Sequence, residues 1–163
     1  MRINIEPLKG IILNEKELLL GINRKEVITI LGEPFDNYGK RDYYYNSELA
    51  IDYDNNFNIE FIEFLGGYDG SLKPYIYDFN IFEDKADKLI DLLKDKNIMC
   101  DTDSNIPYEY IFKSISFGVT REMNPDEFIK ENTNNPMFEE LEKKANYFNT
   151  CGIGAKDYYK KGE

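Results

Sequence analysis

Hydrophobic and polar positions follow two periodicities along this chain, one typical of helices and the other typical of strands. Helical spacing predicts a short helix over residues 24–31, which Asn23 caps at its start and which Gly32 and Pro34 end. The same spacing predicts helices over residues 84–96 and 136–148.

Period-two runs rich in tyrosine, phenylalanine and isoleucine predict a three-stranded meander and several other strands. The predicted strands cover residues 9–13, 41–45, 48–53, 57–64, 75–82, 108–113 and 115–121. Within the meander we expect Tyr53 to oppose Phe57, Ile51 to oppose Ile59, and Leu49 to oppose Phe61. Every such pair is apolar, as one buried face of a sheet requires.

The order of these elements predicts a single α+β domain over residues 1–150. We expect an antiparallel sheet of about five to seven strands, with two to three helices packed mainly on one face. Residues 151–163 are expected to form a loosely ordered C-terminal tail.

Composition limits the chemistry. The chain has 163 residues, with 31 acidic and 20 basic side chains, a formal charge of −11 and no histidine. Catalytic designs built on histidine are therefore excluded, and the basic footprint of a nucleic-acid-binding protein is absent. No apolar run is long enough to span a membrane, and the N-terminal residues lack an export signal. With Cys100 and Cys151 as the only cysteines, we expect a cytoplasmic protein with reduced thiols.

Two motifs resemble ligand sites and fail on their spacing. Residues 101–105 open like a calcium-binding loop, but Ile106 and Phe112 stand where that loop needs glycine and glutamate. The glycines within residues 66–70 lead into a strand, whereas a phosphate-binding loop leads into a helix. We therefore predict no metal ligand, no cofactor and no catalytic residue.

Charge placement is the least random feature of the sequence. Residues 42–72 contain no lysine or arginine and seven acids: Asp42, Glu48, Asp52, Asp54, Glu60, Glu63 and Asp69. Like charges on one sheet repel one another, and a basic partner would relieve that repulsion. Two interpretations stay open, an ordinary acidic solvent face and an interaction surface.

The interaction hypothesis predicts particular contact residues. They occupy the outward face of the meander and the loop that follows it: Tyr43, Tyr45, Glu48, Asp52, Glu60, Ile62, Tyr68 and Asp69. Tyrosine would supply contact area, and the carboxylates would pair with lysine or arginine.

Residues 20–34, LGINRKEVITILGEP, resemble the G-x-s-x-x-e-V-x-x-x-L-G-x-P opening of SmpA/OmlA and beta-lactamase-inhibitor-like modules. The resemblance covers residues 20–64 and implies a short helix that leads into an antiparallel sheet. The composition as a whole, acidic and rich in asparagine and tyrosine, resembles immunity proteins encoded beside bacterial polymorphic toxins. That likeness implies a protein that neutralises a toxin, often a basic nuclease, by binding alone.

The leading hypothesis is a non-enzymatic acidic binding protein, an immunity-type inhibitor of a cationic toxin or nuclease. We expect a basic protein partner, and neither a nucleic acid nor a membrane. The alternative is a small-ligand-binding or enzymatic α+β domain with a carboxylate-lined pocket. A structural domain without a dedicated partner is a third reading.

Overall fold

Two β-sheets and three α-helices share one hydrophobic core in the computed structural model of this chain, which describes residues 1–102, 108–123 and 137–160. The helices are α1 (Arg24–Leu31), α2 (Ala86–Asp95) and α3 (Phe138–Asn146). The strands are β1 (Arg2–Glu6), β2 (Gly10–Leu13), β3 (Lys16–Leu19), β4 (Asp36–Tyr38), β5 (Arg41–Tyr44), β6 (Leu49–Tyr53), β7 (Ile59–Phe64), β8 (Lys73–Ile76), β9 (Phe79–Asn80), β10 (Glu109–Phe112), β11 (Phe117–Thr120) and β12 (Thr150–Gly154). The predicted single-domain α+β class is confirmed, with its strands divided between two sheets.

The smaller sheet has five strands in the order β3-β2-β1-β8-β9. Strands β1 and β8 run parallel, and the other neighbours are antiparallel. The prediction of one continuous strand over residues 75–82 is wrong. Tyr77 and Asp78 adopt left-handed φ values of 50° and 64°, so the chain reverses there and β8 and β9 form a hairpin.

The larger sheet is antiparallel throughout, in the order β10-β11-β12-β7-β6-β5-β4. Its third strand corrects the prediction of a loose tail from Cys151. Strand β12 is buried and hydrogen-bonded to β11 and β7, with Cys151 and Ile153 on the core side. Two of its five residues are glycines, which disguise the period-two pattern. Residues 161–163 of the predicted tail lie outside the described residues.

The predicted register of the meander is also wrong. Ile51 opposes Ile62 and Leu49 opposes Phe64, while a bulge beside Glu60 lets Tyr53 pair with Ile59. Both registers pair apolar residues with one another, so hydrophobic matching did not distinguish them. The bulge absorbs one extra residue, and its position decides which side chains of β7 enter the core.

Helix α1 begins and ends as predicted. The Asn23 side chain accepts a hydrogen bond from the Lys25 amide at 3.2 Å, and the Gly32 amide donates to the Ile28 carbonyl at 2.8 Å. The described part of the third predicted helix is α3. Pro136, its predicted first residue, lies outside the described residues, as do residues 103–105 of the calcium-like motif.

Polar contacts place all three helices on the same face of the larger sheet. Arg24 at the start of α1 pairs with Asp42, which points inward from β5. The buried side chain of Arg121, directly after β11, donates to Asp87 of α2 and to the Ala145 carbonyl of α3. Among the described residues, no helix is long and apolar enough to cross a membrane.

Both edges of the larger sheet are partly closed by the chain itself. On β10, the Ile111 amide donates to Thr102 Oγ1 at 2.6 Å, and its carbonyl accepts from the Asp101 amide at 2.7 Å. At the other edge β4 has only three residues, and the Asn37 amide donates to the side chain of Asp36 at 2.8 Å.

On the outer face of the larger sheet, opposite the helices, three residues without side chains leave a trough: Gly118, Gly152 and Gly154. Aromatic rings fill this trough. Phe61 lies against Gly152, and Tyr158 from the C-terminal turn stacks on Phe61 with ring centroids 4.5 Å apart at 7°. Tyr159 packs over Gly118, so residues 155–160 cover this half of the outer face.

We predict that Gly152→Ala destabilises the fold by about 1–3 kcal/mol, because the added methyl group would overlap the Phe61 ring. Chemical denaturation measures the change. In a Phe61→Leu background the same substitution should cost clearly less, since the smaller side chain leaves room. Equal costs in both backgrounds would contradict the packing described here.

Candidate functional site

The acidic run between residues 42 and 72 finds its counter-charges within the chain, from basic residues outside that run. The ion pairs are Asp42 with Arg24, Asp52 and Glu63 with Arg41, and Asp69 with Lys143. Much of the repulsion inferred from the sequence is therefore offset intramolecularly. The density of acids in the run is therefore not by itself evidence for an external basic partner. What matters is which of these acids lacks a full counter-charge in the fold.

Asp42 is a structural carboxylate rather than part of a binding surface. Its side chain is fully buried, and Arg24 holds it with two hydrogen bonds of 2.8 Å and 2.6 Å. The hydrogen bond with Asp42 raises the pKa of Arg24. Burial and the charge of Asp42 raise the pKa of Tyr44 to about 12. The ion pair between Arg24 and Asp42 joins the start of α1 to β5.

Two half-buried carboxylates on the outer face share one guanidinium. Arg41 bonds Asp52 at 2.6 Å, and its second terminal nitrogen bonds Glu63. Burial raises the pKa of Asp52, and the negative charge of Glu63 adds to that effect against the opposing influence of Arg41. The three side chains carry a formal charge of −1, so one carboxylate charge is not neutralised here.

Tyrosine rings border these three side chains. Tyr43 lies beside Arg41, whose guanidinium carbon is 5.3 Å from the ring centroid, and Tyr38 meets Tyr43 edge to face at 6.0 Å. Tyr38 is 69% exposed. On the other side is Tyr158, whose pKa is raised by burial and by the charges of Asp52 and Glu63. We name this surface the outer-face patch: Tyr38, Arg41, Tyr43, Asp52, Glu63 and Tyr158.

Glu48 and Asp54, two further acids of the run, accept hydrogen bonds from backbone amides. Glu48 accepts hydrogen bonds from the Leu72 amide at 2.9 Å and the Ser71 hydroxyl at 3.1 Å. Burial opposes ionisation of Glu48, yet these bonds outweigh it and lower its pKa. Asp54 accepts from two amides of its own turn. Glu48 is therefore committed to fixing the loop that precedes β8.

The other predicted contact residues of the meander lie in four different environments. Tyr43 and Asp52 share the outer face, whereas Tyr45 is 38% exposed in the turn between β5 and β6. Glu60 sits in the bulge of β7 and is half-buried. Ile62 is fully buried, because the observed register turns it toward the core, and its prediction as a partner contact is wrong for this fold.

Tyr68 and Asp69 line a pocket between the loop over residues 65–70 and α3. The pocket has a volume of about 280 Å³. Tyr147 contacts Tyr68 with ring centroids 4.8 Å apart, and the Lys143 ammonium lies 2.9 Å from Asp69 and 4.8 Å from the Tyr68 ring centroid. Glu122 also lines the pocket. A depression beside α1, near Phe57, has no carboxylate among its described lining residues.

Three residues of these sites were not predicted from the sequence: Arg41, Lys143 and Tyr147. Arg41 directly precedes the acidic run, and its cross-strand partner is Asp52, a signal that becomes readable only once the register is known. Lys143 lies on α3 and Tyr147 directly follows that helix, and both meet the 65–70 loop through tertiary packing. Nothing in the local sequence indicates that contact.

No family model, no curated protein and no solved structure matches this chain. The two resemblances drawn from the sequence therefore stay predictions. Within residues 1–102, 108–123 and 137–160, no group of three or more cysteine and acidic side chains could hold a metal ion.

We predict that Arg24→Met costs about 3 kcal/mol of stability, because Asp42 would remain buried without its counter-charge. Arg2→Met is the matched control. Arg2 pairs with Asp78 at the surface, so this change should cost under about 1 kcal/mol. Urea denaturation compares the two, and similar losses would contradict a structural role for the buried pair.

The Asp52 carboxyl should titrate above its usual pKa, and its two charged neighbours should move that pKa in opposite directions. Glu63→Gln should lower the pKa of Asp52, and Arg41→Gln should raise it. Carbon-detected NMR titration follows the carboxyl directly. Because the folded state holds this proton more tightly than the unfolded chain, ionisation of Asp52 lowers stability as pH rises through its pKa. An unchanged pKa in both variants would contradict the coupling.

Proposed function

We propose that this chain is a non-enzymatic binding protein that docks a cationic protein partner on the outer-face patch. The biological role that fits is that of an immunity-type inhibitor of a basic toxin or nuclease. The observation that carries the proposal is the sharing of one guanidinium, that of Arg41, between the carboxylates of Asp52 and Glu63.

The charge balance of the patch favours a cation. A partner lysine or arginine placed beside Asp52 would neutralise the remaining carboxylate charge and would pay little desolvation of its own at a half-buried site. The net charge of −11 supports the same partner class, since a long-range negative field accelerates encounter with a basic protein.

The tyrosines give the patch the contact chemistry of a protein interface. Tyr38 and Tyr43 present apolar rings with polar hydroxyls, and such side chains bury large areas at small entropic cost. The neighbouring ring of Tyr158 is already stacked on Phe61. A partner would therefore meet a largely ordered surface.

The second candidate function is the binding of a small ligand in the pocket beside Tyr68. One observation favours it: Asp69, Glu122 and Glu140 give that pocket a carboxylate lining next to two aromatic rings. The two candidates differ in location, because the pocket lies at the end of the sheet and the patch on its outer face.

The first candidate predicts that neutralising the patch slows association. Immobilised chain should retain a basic protein from a lysate of the source cell. With that protein, Asp52→Asn combined with Glu63→Gln should lower the association rate about tenfold at low salt, since Arg41 then leaves the patch positive. Stopped-flow kinetics at several salt concentrations measure the effect.

A matched control removes the same charge elsewhere. Asp91→Asn with Asp95→Asn neutralises two acids on the exposed side of α2 and should lower the rate far less. Equal effects of the two double variants would assign the attraction to total charge and refute the patch. Retention of acidic or neutral proteins alone would refute a cationic partner.

A further inference from the structure

The pocket between the 65–70 loop and α3 is built as a preorganised site. The Gly67 backbone, at φ 57°, packs against the backbone of Asn149, and Lys73 donates to the Tyr68 carbonyl at 2.6 Å. These contacts fix the loop from two sides. They place the Tyr68 backbone so that its ring contacts Tyr147, with ring centroids 4.8 Å apart.

The pocket already holds a cation of the chain itself, the ammonium group of Lys143. The Lys143 ammonium contacts both the Asp69 carboxylate and the face of the Tyr68 ring. A carboxylate beside an aromatic face is the combination that attracts an ammonium or guanidinium group. Lys143 is 40% exposed and sits at the surface of α3, so its hold on the pocket is a weak surface contact.

The charges of the lining favour exchange of one cation for another. Of the residues that the structure describes, three carboxylates line the pocket, from Asp69, Glu122 and Glu140, against the two ammonium groups of Lys143 and Lys144. Lys144 is engaged by Glu122 at 3.4 Å and Glu140 at 3.1 Å. When Lys143 swings into solvent, Asp69 is left open to another positive group, and the Tyr68 ring keeps the more distant Lys73 ammonium at 5.9 Å from its centroid. An anion would instead meet a surplus of carboxylates.

We infer that this pocket receives an arginine side chain of the protein partner, and that Lys143 is an internal stand-in which the arginine displaces. The volume of about 280 Å³ suits one extended side chain. The planar guanidinium can stack on the Tyr68 ring and bond Asp69 with two hydrogen bonds at once. This inference rests on the proposed cationic partner, and it adds an anchoring site away from the outer-face patch.

The test uses N-acetyl-L-arginine amide as the probe, with the whole chain, in an NMR titration. The probe should shift the amide resonances of Gly67, Asp69 and Tyr147. In Lys143→Gln it should bind about two- to fivefold more tightly, since the competing ammonium is gone. Asp69→Asn should weaken it by a similar factor. Lys88→Gln, which removes a lysine from the exposed surface of α2, should leave the affinity unchanged.

Three results would overturn the inference. One is the absence of shifts at the pocket in both the natural chain and Lys143→Gln. Another is weaker probe binding in Lys143→Gln, together with binding of inorganic phosphate that Lys143→Gln abolishes, which would make the pocket an anion site. The third is equal binding of the neutral isostere N-acetyl-L-citrulline amide. Because the probe is a small molecule, each of these results leaves the association kinetics at the outer-face patch as a separate test of the proposed function.

Discussion

Strand β12 is the element on which the larger sheet depends. It comes late in the chain yet lies third in the sheet, where it is hydrogen-bonded to β11 on one side and to β7 on the other. Without it the sheet would separate into a two-stranded and a four-stranded piece. Its inward side chains, Cys151 and Ile153, join the core, and burial raises the pKa of the Cys151 thiol well above its ordinary value. A buried thiol of this kind is a packing residue.

The outward-facing residues of β12 determine which side chains can pack on the outer face of the sheet. Glycines at positions 152 and 154 leave space for Phe61 and for the C-terminal turn. That turn places Tyr158 beside Asp52 and Glu63, and Tyr158 thereby borders the surplus carboxylate charge. The acids of the chain therefore have different roles: Asp42 stabilises the fold, Glu48 fixes a loop, and the outer face keeps one carboxylate charge that Arg41 does not neutralise.

Sequence patterns predicted the elements better than their arrangement. The α1 boundaries follow from one capping side chain, Asn23, and from Gly32, both of which are local signals. The register of β6 with β7 depends on a bulge beside Glu60, and two apolar registers were available to the sequence. The position of β12 depends on pairing with strands far away in the chain, for which a five-residue run containing two glycines gives no local sign. The same non-local packing separated Tyr68 and Asp69 from Tyr43 and Asp52, which the sequence had grouped on one surface.

The partly closed edges of the larger sheet bear on how the chain meets other copies of itself at high concentration. An edge strand with a free row of amides and carbonyls is a template on which other chains can polymerise. Here Thr102 and Asp101 occupy the peptide groups of Ile111 at one edge, and the Asp36 carboxylate occupies the amide of Asn37 at the other. Short-range bonds thus engage one residue at each edge of the larger sheet, and they reduce the number of free amides and carbonyls that an incoming strand could pair with.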